Sequence, residues 1–446
     1  MGIKVCKFGG TSMADAKAIL QVESIVRADA DRRYIVVSAP GKRFKEDIKI
    51  TDTLYACQEE AARTGKCEKH FAVIRERFSE IAADLGLKCD IGAILDETEV
   101  GICAHADSPD YAASRGEYLS ARVMAEKLGF PFVDATELIR FDSQGALNQP
   151  YTEDKIKAKL RNLEYAVIPG FYGKDSFGNI KTFSRGGSDI TGSVVAGGID
   201  ADLYENWTDV SGFMVCDPRI VPDAKIIRFV TYKELRELSY MGASVLHAEA
   251  IFPVMKKRIS INIRNTFDPA AAGTMIVPTE KYSHVDGGLI TGIAGKKDFT
   301  VIFVEKSMMN AEVGFIRKIL SVVEHYGICI EHVPSGIDTL SLVIESRLLK
   351  DGVLSDLVNE IRESVSPDYV HVTENISLVA TVGHGMARRS GTAARLFTAL
   401  AQSNINIQMI DQGSSELNII VGVANNDYEK CIAAIYREFF GEGASS

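Results

Sequence analysis

The 446-residue sequence predicts an α/β protein: a mainly parallel sheet between helix layers, followed by two copies of a βαββαβ module. Three observations lead there. Short apolar runs alternate with amphipathic stretches over the first two-thirds of the chain. Several runs are apolar at every position, as strands covered on both faces must be. Beyond about residue 295 one pattern of strand, helix, two strands and a further helix occurs twice.

Taken in order, residues 3–8 read as the first strand, 9–12 as a Gly-rich turn, and 14–29 as an amphipathic helix. Tyr34-Ile35-Val36-Val37-Ser38 is a buried strand ended by Ala39-Pro40-Gly41. Residues 53–85 and 115–129 read as helices. Phe132-Val133-Asp134, Ala166 to Gly170 and Ala201 to Trp207 read as further strands. The character changes over 285–298. A first module then has a strand at 299–304, a helix near 312–326, strands at 327–331 and 339–345, and a helix near 350–365. The second has 376–382, 390–403, 404–408, 416–423 and 427–439 in the same roles, and residues 441–446 read as a frayed tail. The expected domains are 1–292, 295–370 and 371–446, the last two either sequential or intertwined.

The formal net charge of -10 argues against general binding of nucleic acid or anionic membranes. It also repels small anionic substrates at long range, so a site for one must gather positive groups locally. No uncharged apolar run approaches the ~20 residues that span a bilayer. The N-terminal MGIKVCKFGG lacks the apolar region of a secretory signal. The eight cysteines are scattered without a C-x-x-C, which fits reduced thiols in a cytoplasm. The eight histidines show no metal spacing, so no structural metal site is expected.

Chemistry concentrates in three segments. Lys7-Phe8-Gly9-Gly10-Thr11-Ser12 is a strand–Gly-Gly–helix junction, whose backbone N–H groups suit phosphate, with a lysine just before it. It is not a Walker A loop, and taken alone a turn with a solvated lysine explains it equally well. Ser184-Arg185-Gly186-Gly187-Ser188-Asp189 precedes a small-residue helix. Arg185 suits a carboxylate, and Asp189 is a candidate partner for Lys7. Trp207 to Gly212, followed by Asp217-Pro218-Arg219, sets polar turn residues at a strand end, where open α/β sheets bind ligands.

Together with VVSAPG (36–41), TDTL (51–54), RGEYLSARVMAEKLG (115–129) and GASVLH (242–247), these segments resemble the aspartate kinases of the amino-acid kinase superfamily over essentially the whole chain. The resemblance implies the amino-acid kinase fold followed by two ACT domains. It implies transfer of the γ-phosphate of ATP, with Mg²⁺, to the side-chain carboxylate of L-aspartate. Lys7 would bridge the phosphates and Asp189 would orient it. Gly9, Gly10 and Ser12 would line the phosphate loop. Ser38 and Ser188 would sit by the reacting groups. Thr51 and Glu117 would hold aspartate, Glu117 near its α-amino group, and Arg185 would grip its α-carboxylate. Thr208, Asp209, Met214 and Arg219 would contact nucleotide. Ser244 stands where the family often has lysine, so one nucleotide contact differs.

The resemblance also implies an amino-acid effector bound by paired ACT modules in a homodimer or homotetramer. The expected residues are Met309, Glu312, Gly314, Phe315, Ile330, Glu331, Ser335 and Asp338. Their acidic members suggest lysine as inhibitor, with a solvated acidic rim as the competing reading. Gly383-His384-Gly385-Met386 imitates a dinucleotide fingerprint, but Arg388 replaces its third glycine and too little chain remains for a dehydrogenase.

Overall fold

The computed structural model describes residues 2–184, 186–243, 246, 248–282, 288–387 and 389–441. They form two compact units: Met1–Phe213, Ile226–Lys233 and Ser244–Val285 in the first, and Met214–Lys225, Glu234–Ala243 and Asp286–Ser446 in the second.

The first unit is built on a seven-stranded sheet, ordered Ala166–Pro169, Arg32–Val37, Lys4–Phe8, Leu203–Thr208, Ser260–Asn265, Thr274–Val277, Phe229–Thr231. Every pairing is parallel except Ser260–Asn265 with Thr274–Val277. The register sets Lys7 beside Asn206 and Phe8 beside Trp207. Side chains alternate along a strand, so the two pairs face opposite sides of the sheet. On one side Phe8 and Trp207 stack at 5.9 Å. They join the apolar core made with the helices Ala16–Arg27, Ile50–Thr64, Glu68–Leu85, Ile91–Ala104 and Pro109–Leu128. On the other side Lys7 and Asn206 meet the helix Gly187–Gly198.

A buried charge pair braces the apolar side. Glu205 accepts from Arg32 Nε at 2.8 Å and from Trp207 Nε1 at 2.9 Å. The guanidinium groups of Arg32 and Arg264 lie over the Trp207 ring at 5.2 and 4.6 Å. Burying two charges costs several kcal/mol each, and only this density of contacts offsets it.

The single helix expected over 53–85 is two, Ile50–Thr64 and Glu68–Leu85. Gly65, at φ 77°, closes the first with its N–H on the Ala61 carbonyl. The apolar period runs on through Cys67 and hides that left-handed stop. Phe132 makes only an isolated bridge to Val167, and Asp134 caps a short 3-10 turn instead of ending a strand. The helices Ile91–Ala104 and Gln149–Leu160 and the hairpin Tyr172–Lys174/Ile180–Thr182 were not expected.

The second unit holds a five-stranded antiparallel sheet, ordered Thr339–Glu345, Gly292–Glu305, Tyr369–Val382, Asn418–Ala424, Met409–Asp411. Its two 14-residue strands, Gly292–Glu305 and Tyr369–Val382, pair end to end and serve both modules. Residues 299–305 pair with Thr339–Glu345, and residues 376–382 with Asn418–Ala424. A boundary at 370/371 therefore lies inside one continuous strand, and the modules interleave. The helices Phe315–His325 and Val353–Val365 bury Phe315, Ile319, Leu357 and Ile361 against the first half. Gly383 and Gly385 are explained by packing: a Cβ on either would come within 2.5 Å of the Leu289 or Gly288 carbonyl. Arg388 and residues 442–446 lie outside the described residues. No helix among the described residues is long and apolar enough to cross a membrane.

Glu205→Ala leaves Arg32 buried without its carboxylate and is expected to destabilise the first unit by about 3–5 kcal/mol. Urea denaturation measures this, and an unchanged midpoint removes the brace from the account.

Candidate active site

Lys7, Ser38, Thr51, Glu117, Phe171, Gly186, Gly187, Ser188 and Asp189 line a cavity of about 220 Å³. Its position follows from the parallel sheet. Lys7 is next to last on Lys4–Phe8, and Ser38 directly follows Arg32–Val37, its N–H on the Phe8 carbonyl at 3.1 Å. Thr51 is the second residue of Ile50–Thr64, and Ser188 and Asp189 lie in the first turn of Gly187–Gly198. The cavity thus sits at the C-terminal ends of two adjacent strands and the N-terminal ends of two helices. Neither helix has a side-chain cap, so their leading N–H groups are available to anions.

Lys7 is 8% exposed and its Nζ lies 2.6 Å from Asp189 Oδ1. Asn206 Nδ2 donates to the same oxygen at 2.9 Å. An ammonium this buried needs a fixed counter-charge, and Asp189 supplies it. Glu117 is also buried, and its Oε2 has no hydrogen-bond partner. Burial pushes its pKa up to about 8, against smaller lowering effects of a backbone hydrogen bond from Ala39 and of Lys7 and Arg115. The cavity therefore contains a paired cation and an acid with one oxygen waiting for a donor.

The cradle differs in detail from expectation. Gly10–Met13 is a 3-10 turn, and the α-helix Ala16–Arg27 begins only after Asp15, which caps it by accepting from the Ala18 N–H at 2.8 Å. Gly9 donates to the Trp207 carbonyl at 3.0 Å, and Ser12 is buried with its hydroxyl 2.8 Å from that of Thr266. Gly9, Gly10 and Ser12 are not among the residues lining the 220 Å³ cavity. Gly10 is glycine because the loop 39–41 presses on it: a Cβ would stand 3.1 Å from the Ala39 carbonyl, and one on Gly41 would meet Gly10 at 2.7 Å. Arg185 and Ser244 lie outside the described residues.

On the expected nucleotide side, Thr208 ends its strand with its hydroxyl 3.2 Å from Asp209, which is exposed. Met214 and Arg219 belong to the second unit, where the exposed Arg219 pairs with Asp217 at 2.6 Å. A larger cavity of about 650 Å³ is lined in part by Tyr55, Asp110, Phe171 and Lys181. Its Asp110 and Lys181 pair at 2.8 Å.

Sequence reasoning missed Asn206, Phe171 and Gly170. Asn206 is, with Glu205, one of two polar residues among the four buried positions of its strand, a signal that was legible. Phe171 takes a left-handed φ of 77°, with its N–H on the Thr191 hydroxyl at 3.0 Å. A Cβ on Gly170 would lie 2.6 Å from the Ser188 hydroxyl.

In the second unit, the buried Met309 and Phe315 flank Gly314, which starts the helix Phe315–His325 at φ 83°. Glu312 is held by Lys318 at 2.7 Å and Lys306 at 3.0 Å, so its carboxyl stays below the usual range. Ile330 packs on the module core, Ser335 bridges Leu340, and the Asp338 carbonyl accepts from Lys306 N–H. Glu331 keeps one buried oxygen without a partner, and a hydrogen bond to it raises the pKa of the Tyr240 hydroxyl, second to burial.

Parallel-sheet topology, helix N-termini and a buried lysine in one cavity make a site suited to an anionic ligand. A model of the amino acid kinase family matches residues 2–265, and an ACT-domain model matches 379–439. Aspartokinase 3 of Bacillus subtilis is 36% identical over 452 residues, covering 98% of this chain and 99% of that protein. The crystal structure of Clostridium acetobutylicum aspartate kinase matches with a TM-score of 0.88 at 50% identity, covering 98% and 99% of the two chains. Escherichia coli aspartokinase III in complex with aspartate and ADP matches with a TM-score of 0.71 at 25% identity, covering 97% and 99%. The same enzyme with lysine and aspartate gives 0.72 at 25%, covering 98% and 99%. The chain belongs to the aspartokinases, within the amino acid kinase family, and is an ATP-dependent kinase with C-terminal ACT domains.

Glu117 yields a stability test. Its carboxyl stays protonated in the folded protein up to about pH 8 but ionises from pH 4.5 when unfolded. Between those values the unfolded state releases a proton that the folded state keeps, so stability falls as pH rises, by about 1.4 kcal/mol per unit from this group. Glu117→Gln is expected to flatten the stability–pH profile over that window. An unchanged slope would contradict the burial argument.

Proposed function

We propose that this aspartokinase transfers the γ-phosphate of ATP to the side-chain carboxylate of L-aspartate, forming 4-phospho-L-aspartate. One observation carries the reading: the cavity sets the cation Lys7 and the orphan oxygen of Glu117 in a single small volume. An amino-acid acceptor has both an anionic end to be stabilised and an ammonium to be received. The complex of the E. coli relative with aspartate and ADP supports this choice.

The roles follow from chemistry. The acceptor carboxylate is ionised at neutral pH, so one of its oxygens attacks the γ-phosphorus without a general base while the bond to ADP breaks. The protein's task is to bring two anions together in line. Lys7, fixed by Asp189 and Asn206, faces the transferring group and offsets its charge. Glu117 receives the α-ammonium, which favours its ionised form, so acceptor binding releases its proton. Ser38, Thr51 and Ser188, with the leading N–H groups of the two helices, line the path between. Arg185 takes the α-carboxylate. Gly9, Gly10 and Ser12 shape the phosphate side, and Thr208, Asp209, Met214 and Arg219 are assigned to nucleotide. Among the described residues no three His, Cys, Asp or Glu side chains form a metal-ligating group. Mg²⁺ would be held largely by the nucleotide's own oxygens and water, as this ion prefers.

We assign the enzyme to the first step of lysine, threonine and methionine biosynthesis, under feedback control through ACT modules paired in a dimer or tetramer. Lysine is the favoured effector, supported by the lysine complex of the E. coli relative. Glu331 is the better receptor for a cationic side chain, because Glu312 already has two lysines. Cysteine usage fits a cytoplasmic enzyme.

Coupled ADP release with aspartate, glutamate or no acceptor tests the reaction. Turnover with aspartate alone is expected, and turnover with glutamate alone overturns the assignment. Titration with lysine, threonine and both tests regulation: lysine is expected to inhibit, and inhibition by threonine only would contradict that choice.

A further inference from the structure

The eight cysteines are scattered in sequence, yet the fold gathers three of them. Cys57 lies on the helix Ile50–Thr64, Cys67 is the N-cap of Glu68–Leu85, and Cys103 sits in the last turn of Ile91–Ala104. The sulfurs of Cys67 and Cys103 are 3.5 Å apart, and Cys57 hydrogen-bonds to Cys67. All eight cysteines are free thiols. Cys57 and Cys67 are fully buried, whereas Cys103 is half-buried and open to small solutes.

A single buried cysteine is an ordinary small core residue. Two thiols in contact, one of them reachable from solvent, are a different arrangement. A disulfide needs sulfurs about 2.05 Å apart, so closure requires a shift of about 1.5 Å. Both residues sit at helix ends, where a shift of that size disturbs few backbone hydrogen bonds. None of the residues lining the 220 Å³ cavity is on Glu68–Leu85 or Ile91–Ala104, so the pair is not part of that cavity.

We propose that Cys67 and Cys103 are a reversible oxidation site that closes to a disulfide when the enzyme meets hydrogen peroxide. Cys103 reacts first. Its thiolate attacks one peroxide oxygen, the O–O bond breaks, and hydroxide leaves, giving a sulfenic acid. The Cys67 sulfur then attacks the sulfenic sulfur. The S–S bond forms, the S–O bond breaks, and the Cys67 proton leaves with the oxygen as water. Two thiols are oxidised by two electrons, and one peroxide is reduced to two waters. Burial raises the pKa of the Cys67 thiol, which keeps it as the resolving partner and not the first reactant. The link closes a loop between positions 36 residues apart and pins two helices of the catalytic unit together. A dithiol reverses it.

Full-length protein is treated with stoichiometric hydrogen peroxide, alkylated, and digested without reduction. Mass spectrometry is expected to find the Cys67 and Cys103 peptides joined, and free after dithiothreitol. Recovery of both as separate alkylated peptides, while the exposed Cys329 is oxidised, would overturn the proposal. Cys67→Ser gives an independent check, since Cys103 is then expected to persist as a sulfenic acid that dimedone traps. A Cys103 without dimedone adduct in that variant contradicts the order of steps.

Discussion

The ion pair between Lys7 and Asp189 is the contact around which the catalytic unit is arranged. A nearly buried ammonium is unstable unless an opposite charge is held against it. The parallel register places Lys7 beside Asn206. The left-handed Gly186 starts a helix whose first turn carries Asp189. Asn206 then fixes the shared Asp189 oxygen. Two strands and one helix N-terminus are thereby locked to a single geometry before any substrate arrives. That is the preorganisation that phosphoryl transfer between two anions needs.

The sheet separates two environments. Its apolar face spends buried charge on rigidity, through Arg32, Glu205 and Trp207, all saturated with partners. The edge at the strand ends, where the cavity lies, leaves Glu117 one oxygen short. The first arrangement stabilises the unit, and the second costs stability. In the second unit the same contrast recurs on a smaller scale, with Glu312 fully paired and Glu331 not.

Much of this was legible in sequence because it depends on local signals. The Gly-Gly junction after a short strand, the apolar run at 34–38 and the duplicated module each have a period or a turn residue that reveals them. Lys7, Ser38, Thr51, Glu117, Ser188 and Asp189 converge on one cavity, though separated by up to 182 positions, because strand ends and helix starts meet on one edge of the sheet. What escaped depends on long-range packing. Gly65 sits inside an unbroken apolar period, so the helix break was invisible. Only 376–382 of the strand Tyr369–Val382 is read in sequence, because its largely solvent-facing first half lacks the continuous apolar run of the second. Gly10 looks like an anion-binding glycine, but its lack of a side chain serves the contact with Gly41. Cys67 and Cys103 meet only through the packing of two helices, and no spacing rule anticipates it.

In the proposed reaction Asp189 acts by holding Lys7 and not by binding acceptor. Stopped-flow phosphoryl transfer and calorimetric aspartate binding, measured together on Asp189→Asn, test it most directly. The account expects the transfer rate to fall by a factor of 10² or more, about 2.7 kcal/mol of barrier, with aspartate affinity within a few-fold of the parent. Lost aspartate binding with an unchanged transfer rate at saturation would contradict it.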